Sequence, residues 1–361
     1  MEGLVTHLFS NVYRGRKVLV TGHSGFKGSW LSLWLTCLGA DVSGIALPPV
    51  TKPNHWELLK LDCESLWVDI RDDEKLAKAV TQINPDIIFH LAAQPLVRSS
   101  YRNPLETWQT NLIGTVNLLE AARNCSNLQA VVCITTDKCY ENKEWHWGYR
   151  ENDVLGGHDP YSASKAAAEI AIASYRKSFF STQEGPLIAS ARAGNVIGGG
   201  DWSEDRIIPD LVRAMTVGKQ LEIRSPNATR PWQHVLESLY GYLILGQRLL
   251  AGQNSFANAW NFGPEIDSNR SVSEILSLMK KYWPELAWFT GTAQQPHEAG
   301  LLHLDSSRAR NLLNWQPMWD LTTTAQKTAE WYKSFISDGR LLTHDQIEVY
   351  QRELARAELA Q

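Results

Sequence analysis

Lys17-Val18-Leu19-Val20-Thr21-Gly22-His23-Ser24-Gly25-Phe26-Lys27-Gly28 runs from an apolar strand into glycines spaced G-x-x-G-x-x-G. Over 27–38, Trp30, Leu31, Trp34, Leu35 and Leu38 then recur at helical spacing, which predicts an amphipathic helix directly after the turn. Glycines at this spacing allow a tight strand-to-helix turn and close packing of helix on strand. The helix start offers unpaired N–H groups and a partial positive charge to an anion. In this context the turn reads as a dinucleotide diphosphate cradle, with Gly22, Ser24, Gly25, Phe26, Lys27 and Gly28 as its candidate residues.

Outward from the turn, apolar strands alternate with helical periods. Strands are predicted at Asp41–Leu47, Ser65–Asp69, Asp86–Ala92, Gln129–Thr135 and Leu187–Arg192, and helices over 72–82, 104–124 and 160–180. Repeated βα units with near-continuous apolar strands require a parallel sheet covered on both faces. The second half is less regular. Helices are expected over 207–217, 232–250, 271–281, 306–313 and 321–336, short strands at Leu221–Arg224 and Asn258–Phe262, and a charged helical tail over 343–360. The pattern divides into a dinucleotide-binding domain over 1–194, to which 232–270 returns, a smaller α/β substrate lobe from 195–231 and 271–335, and a tail over 336–361.

Composition narrows the function. A chain of 361 residues with 43% hydrophobic and 20% charged residues suits roughly two globular domains. The net charge of −4 without a basic block argues against nucleic acid and anionic membrane as partners. No apolar run is long enough to span a bilayer, and the first residues lack the apolar centre of a secretory signal. The five cysteines are scattered without a C-x-x-C, so neither structural zinc nor a disulfide framework is expected, and a reducing cytoplasm is. Fifteen tryptophans are the oddity; several flank candidate site loops (Trp145, Trp147, Trp202, Trp232), although bulky aromatics ordinarily serve packing.

Three features carry chemistry. Tyr161 and Lys165, four apart at the start of a helix, share one face; a cationic Lys beside a phenol is expected to lower its pKa and make Tyr161 a base for an alcohol losing hydride. The predicted fifth strand ends Thr135-Thr136-Asp137-Lys138, at the sheet edge where ligands bind in open α/β folds. If the strand stays regular, Asp137 and Lys138 face opposite ways; if it breaks into a turn, both can face one ligand. The third feature is an absence. At the end of the second strand, Gly44-Ile45-Ala46-Leu47-Pro48 carries neither the acid that holds a ribose 2′-hydroxyl nor an Arg for a 2′-phosphate. Asp69 could accept from adenine or simply cap its strand.

Residues 17–320 resemble the extended short-chain dehydrogenase/reductase superfamily. The resemblance rests on TGHSGFKG, Asp69-Ile70, His90-Leu91-Ala92-Ala93, TTDKCY, YSASK and Arg192-x-x-Asn195. Within it the chain is similar to the nucleotide-sugar 4,6-dehydratases, which normally carry Thr-Asp-Glu where this sequence has Thr136-Asp137-Lys138. That Lys, together with GFKGSWLSLWL, ENKEWHWGYRENDVLGGHDPYSASK and ARAGNVIGGGDWSEDRIIPD, resembles the branch acting on CDP-glucose. The resemblance implies a Rossmann-type doubly wound sheet with a C-terminal substrate lobe, and NAD held by the glycine turn, Asp69, Ile70, Leu91, Ala92, Ala93, Tyr161 and Lys165. It further implies no metal and a homodimer built on helices 104–124 and 160–180. The nucleotide sugar would be bound by Asn195, Arg230 and Arg308. Thr136, Tyr161 and Lys165 suffice to oxidise a sugar hydroxyl; Asp137 as acid and Lys138 as base add what dehydration needs, and burial favours the neutral form of each. The competing expectations are a UDP-sugar dehydratase or 4-epimerase on the same fold, and an idle dinucleotide-binding protein.

Overall fold

The computed structural model describes residues 8–180, 185–223, 225–291 and 301–359. Its centre is one sheet of seven parallel strands: β1 (Lys17–Thr21), β2 (Asp41–Ala46), β3 (Glu64–Trp67), β4 (Ile87–His90), β5 (Ala130–Ile134), β6 (Leu187–Ala193) and β7 (Ala259–Phe262). They lie in the order β7-β6-β5-β4-β1-β2-β3. The short strand expected at 258–262 is therefore the seventh strand of the main sheet. The order reverses at β1, which sits between β2 and β4, and a ligand crevice opens above such a switch point.

Alternation along the strands feeds two cores. Val18 and Val20 of β1 and Ile87 and Phe89 of β4 point into one cluster, and Leu19 and Ile88 into the other. The helices are α1 (Phe26–Cys37), α2 (Asp73–Ile83), α3 (104–123, with a π turn at Gln109–Ile113), α4 (Pro160–Ser178), α5 (Ile207–Thr216), α6 (Val235–Leu250), α7 (Val272–Tyr282), α8 (Ser307–Leu313), α9 (Leu321–Asp338) and α10 (Thr343–Leu359). Helices α2, α3 and α4 cover one face through Leu76, Val80, Leu118 and Ile172, while α1, α6 and α10 cover the other through Trp30, Trp34, Leu239, Leu243 and Tyr350.

Helix α1 is enclosed almost all round, because α10 folds back over it and sets Tyr350 edge-on to Trp34 at 5.6 Å. Its N-terminal neighbour on that face, Trp30, donates its indole N–H to Gly199 O. Five tryptophans (Trp30, Trp34, Trp260, Trp315, Trp331) are fully buried; of those near the site loops, Trp202 and Trp232 are buried, Trp145 is half-buried and Trp147 is 72% exposed. Packing accounts for the tryptophan excess. Helix α6 begins three residues later than expected, since Gln233–His234 pairs as a short strand with Val196–Ile197. Of the strand expected at 221–224, residues Leu221–Ile223 form and Arg224 lies outside the described residues. No helix among the described residues is long and apolar enough to cross a membrane.

Candidate active site

The glycine turn is built as its spacing demands. Gly22 has φ +73°, and a Cβ there would come within 2.7 Å of Ala92 N; one at Gly28 would lie 2.1 Å from Gly22 O. The β1 turn and the end of β4 thus touch, with Leu91 N donating to Thr21 O. Helix α1 starts after Gly25 with no side-chain cap and no acid in its first turn, which leaves its first N–H groups for an anion. This cradle fits a dinucleotide diphosphate. Ser24 Oγ donates to Leu47 O, tying the turn to the end of β2. Under the turn, buried His23 packs between Trp56 and Trp67. Gly44 permits this, because a Cβ there would lie 2.3 Å from the imidazole Cγ.

Asp69 follows β3 and is clasped by Arg71, whose guanidinium donates to both carboxylate oxygens at 2.6–3.0 Å and whose N–H donates at 2.9 Å. These bonds hold its pKa below the ordinary range. Buried Ile70 packs against Gly114 of α3, where a Cβ would meet its Cδ1 at 2.5 Å.

Strand β5 ends at Ile134, and Asp137–Cys139 turns as a 3-10 helix capped by Thr136. The open question about the strip is thereby answered: the regular strand stops before Asp137. Thr136 Oγ1 accepts from Lys138 N at 3.3 Å and donates to Asp137 Oδ1 at 3.0 Å. Asp137 is buried, and burial raises its carboxyl pKa against the lowering pull of Lys138, the Thr136 hydroxyl, Arg230 and Lys27. Lys138 is half-buried.

Tyr161 and Lys165 stand in the first turns of α4, whose Asp159 cap accepts from Ser162 N. The expectation that Lys165 lowers the Tyr161 pKa does not hold in this arrangement. Lys165 Nζ is turned to Ile134 O at 3.1 Å. Burial pushes Tyr161 up to about 12, opposed by a hydrogen bond with the Thr136 side chain. The last carbonyl of β5 competes successfully for the ammonium, which burial itself brings down to about 8. One turn further on, Glu169 pairs with Arg192 at 2.7 Å and accepts from Thr135 and Ser190, so α4 is fastened to β5 and β6 by a buried ion pair. In the π turn of α3, buried Asn111 bonds Gln94 N, Gln94 O and Ser164 Oγ, fixing the loop after β4 against α4.

Arg230 is buried in the short strand Thr229–Pro231, and its charge reaches Asp137. Asn195 lies beside the strand pair, its carbonyl accepting from Gln233 N. Arg308 is elsewhere. It stacks on Trp260 at 4.5 Å and reaches Ala259 O, at the amino end of β7, in an outer recess with Arg150, Glu151 and Asp305. The resemblance alone makes Arg308 a candidate, and the structure seats it at the opposite end of β7 from the carboxyl edge.

Two cations gain importance from the structure. Lys27, grouped with the cofactor turn, points inward. Its Nζ is 3.3 Å from Tyr242 Oη, and burial brings its pKa down to about 7, with Arg206, Asp137 and Lys165 all acting on it. Arg206, at the start of α5, pairs with Asp201 at 2.8 Å, and its charge acts on Tyr161 and Lys27. The sequence signal for Arg206 is its place in Gly198-Gly199-Gly200-Asp201-Trp202-Ser203-Glu204-Asp205-Arg206, a glycine-rich loop that opens a helix. No cluster of metal-ligating side chains occurs among the described residues.

A glycine cradle at the switch point, with Tyr161, Lys165 and an acid–base turn beside it, defines a dinucleotide-dependent enzyme that handles protons at the carboxyl edge of the sheet. The chain belongs to the GDP-mannose 4,6 dehydratase family, whose family model matches residues 19–328. It is 48% identical over 346 residues to the CDP-glucose 4,6-dehydratase of Salmonella typhimurium, covering 94% of this chain and 96% of that one. It is 27% identical to dTDP-glucose 4,6-dehydratase 1 of Escherichia coli, over 88% of this chain and 93% of that one. Among solved structures, epimerase Mth375 from Methanothermobacter thermautotrophicus superposes with a TM-score of 0.81 at 22% identity, over 96% of this chain and 97% of that one, and shares the fold.

Proposed function

We propose that this chain is a CDP-glucose 4,6-dehydratase that turns CDP-D-glucose into CDP-4-keto-6-deoxy-D-glucose and water with NAD as cofactor. The observation that carries the reading is the turn Thr136-Asp137-Lys138, whose buried Asp137 carboxyl is within electrostatic reach of both the Tyr161 phenol and the Lys138 amine. The 48% identity to a CDP-glucose 4,6-dehydratase supports the choice of sugar nucleotide.

NAD⁺ in the Gly22–Gly28 cradle supplies a positive charge in the cleft, the hydride acceptor for C4 and, once reduced, the hydride donor for C6. Tyr161, beside Thr136, takes the proton of the C4 hydroxyl, and the Arg206 charge favours its phenolate; Lys165 is placed for the nicotinamide ribose. The C4 ketone acidifies the C5 hydrogen, which Lys138 removes as a proton. Asp137, whose neutral form burial favours, gives its proton to the C6 hydroxyl, which leaves as water. Lys138 then returns a proton to C5. Asn195 and Arg230 hold the substrate diphosphate, joined by Arg206; guanidinium groups suit this through paired hydrogen bonds. Asp69 and Ile70 border the adenine, and Leu91, Ala92 and Ala93 the cofactor's middle.

We infer a homodimer through α3 and α4, which pack on each other and leave Leu105 69%, Ile113 47% and Ile170 59% exposed. The five cysteines are unpaired, which suits a reducing cytoplasm. The test is mass spectrometry of products after incubation with CDP-, UDP-, GDP- and dTDP-glucose. Dehydration of CDP-glucose at the highest kcat/KM is expected; a preference for another nucleotide, or an epimer of unchanged mass, contradicts the reading.

A further inference from the structure

The reaction proposed above leaves a proton misplaced after every turnover. Tyr161 gains the proton of the C4 hydroxyl, and Asp137 loses one to the departing water. Lys138 gains one from C5 and returns one to it. In an epimerisation the C4 oxygen is reduced again and takes its proton back, but here it leaves as a ketone. Before the next turnover one proton must therefore pass from Tyr161 to Asp137, with no other atom and no redox equivalent moving.

One hydroxyl acts on both groups. Thr136 Oγ1 donates to Asp137 Oδ1 at 3.0 Å, and the same Thr136 side chain acts on the Tyr161 phenol. The Lys138 N–H, donating to the same Oγ1 at 3.3 Å, helps direct the hydroxyl proton toward the carboxylate. All three side chains are nearly sealed: Tyr161 is 8% exposed, Thr136 6% and Asp137 3%. The other carboxylate oxygen, Oδ2, faces Gly194, where a Cβ would stand 2.7 Å away, and the Pro231 ring borders the same spot.

Resting on the dehydratase reading, we propose that Thr136 is the proton relay that resets the site, carrying the Tyr161 proton to Asp137 between turnovers. The Tyr161 O–H bond breaks as a new O–H forms on Thr136, and the original Thr136 O–H breaks as one forms on Asp137 Oδ1. The hydroxyl ends as it began, the phenol becomes a phenolate, and the carboxylate becomes the acid needed to expel the next C6 hydroxyl.

The test compares first-turnover and steady-state product formation by rapid quench with CDP-glucose and NAD⁺, for the native enzyme, Thr136→Ser and Thr136→Val, each equilibrated before mixing and checked for native circular dichroism. The relay is dispensable in the first turnover and needed in every later one, whereas the help Thr136 gives to oxidation is felt equally in both. Thr136→Val should therefore widen the gap between first-turnover and steady-state rates by on the order of 10²-fold, the scale of a lost proton-transfer group. Thr136→Ser, which keeps the hydroxyl, should keep the native gap. If Thr136→Val misfolds, Thr136→Ala is read in the same way. Equal slowing of both phases, or no slowing of either, overturns the relay while leaving the dehydratase reading intact. A native enzyme that makes no dehydrated product overturns both.

Discussion

In the proposed reaction Asp137 and Lys138 are neighbours with opposite tasks, and both sit in the 3-10 turn that follows β5. On the proposed mechanism, oxidation at C4 falls to Tyr161, Lys165 and Thr136, and elimination to Asp137 and Lys138, so substitutions should separate the steps. Tyr161→Phe is expected to abolish all chemistry, including reduction of the cofactor. Lys138→Met and Asp137→Asn should each slow dehydration by roughly 10²–10⁴-fold while reduced nicotinamide accumulates in a single turnover, read by its absorbance. Asp137→Asn should still exchange the C5 hydrogen with solvent through Lys138, and Lys138→Met should not. Near-native dehydration by Lys138→Met would remove it as the base. At this scale the sequence was legible where a motif fixes a position, as in the placement of Tyr161 and Lys165 in the first turns of α4. It was not legible where the direction of a long side chain decides. Lys27 turns inward to Tyr242, Lys165 rests on Ile134 O, and Arg308 lies on Trp260, each set by partners far away in the chain.

Helix α10 shows how an element that reads as a charged tail becomes part of the core. Its Tyr350 hydroxyl donates to Glu237 of α6 at 2.7 Å, and the Met318 and Trp319 N–H groups donate to the same carboxylate at 3.0 and 2.8 Å. Burial outweighs these three bonds and raises Glu237 to about 7 from its ordinary 4.5. The sign follows from proton binding. Between those two values the unfolded chain has released the proton that the native one retains, so stability falls as pH rises through this window and levels off above it. The change from this group is on the order of 3 kcal/mol. Urea unfolding from pH 4.5 to 8 should show the decline, and Glu237→Gln should flatten it; an unchanged slope in the variant would refute the assignment. The exposed faces of α3 and α4 carry a second expectation. Ile170→Arg should yield a monomer in sedimentation at micromolar concentration, whereas a native monomer would refute the dimer. The strands and long helices were legible because their apolar periods are strong. The π turn in α3 was not, because it answers to Asn111 and its bonds to Gln94 and Ser164.

Across the whole molecule, the order of the sheet, the glycine cradle and the acid–base turn meet at one edge, and the βα alternation alone sufficed to place them there. The sequence pattern returns 232–270 to the dinucleotide-binding domain, but it could not show that β7 would pair with β6, which lies some seventy residues earlier in the chain. The end of β2 carries no acid toward a cofactor ribose, and the loss of one charge-assisted hydrogen bond costs about 1.5–3 kcal/mol. NAD⁺ should accordingly bind more weakly than in relatives with that acid, and dialysed enzyme should regain activity when NAD⁺ is added. NADP⁺ should be the poorer cofactor. Full activity after extensive dialysis without addition would contradict this. The central claim is that this site removes water across C5 and C6 by way of a C4 ketone, and conversion of CDP-glucose in heavy water tests it most directly. The account predicts a product lighter by one water, with a C4 carbonyl and solvent deuterium at C5, by mass spectrometry and NMR. A product that keeps its C6 hydroxyl, or one that forms without taking deuterium at C5, would contradict it.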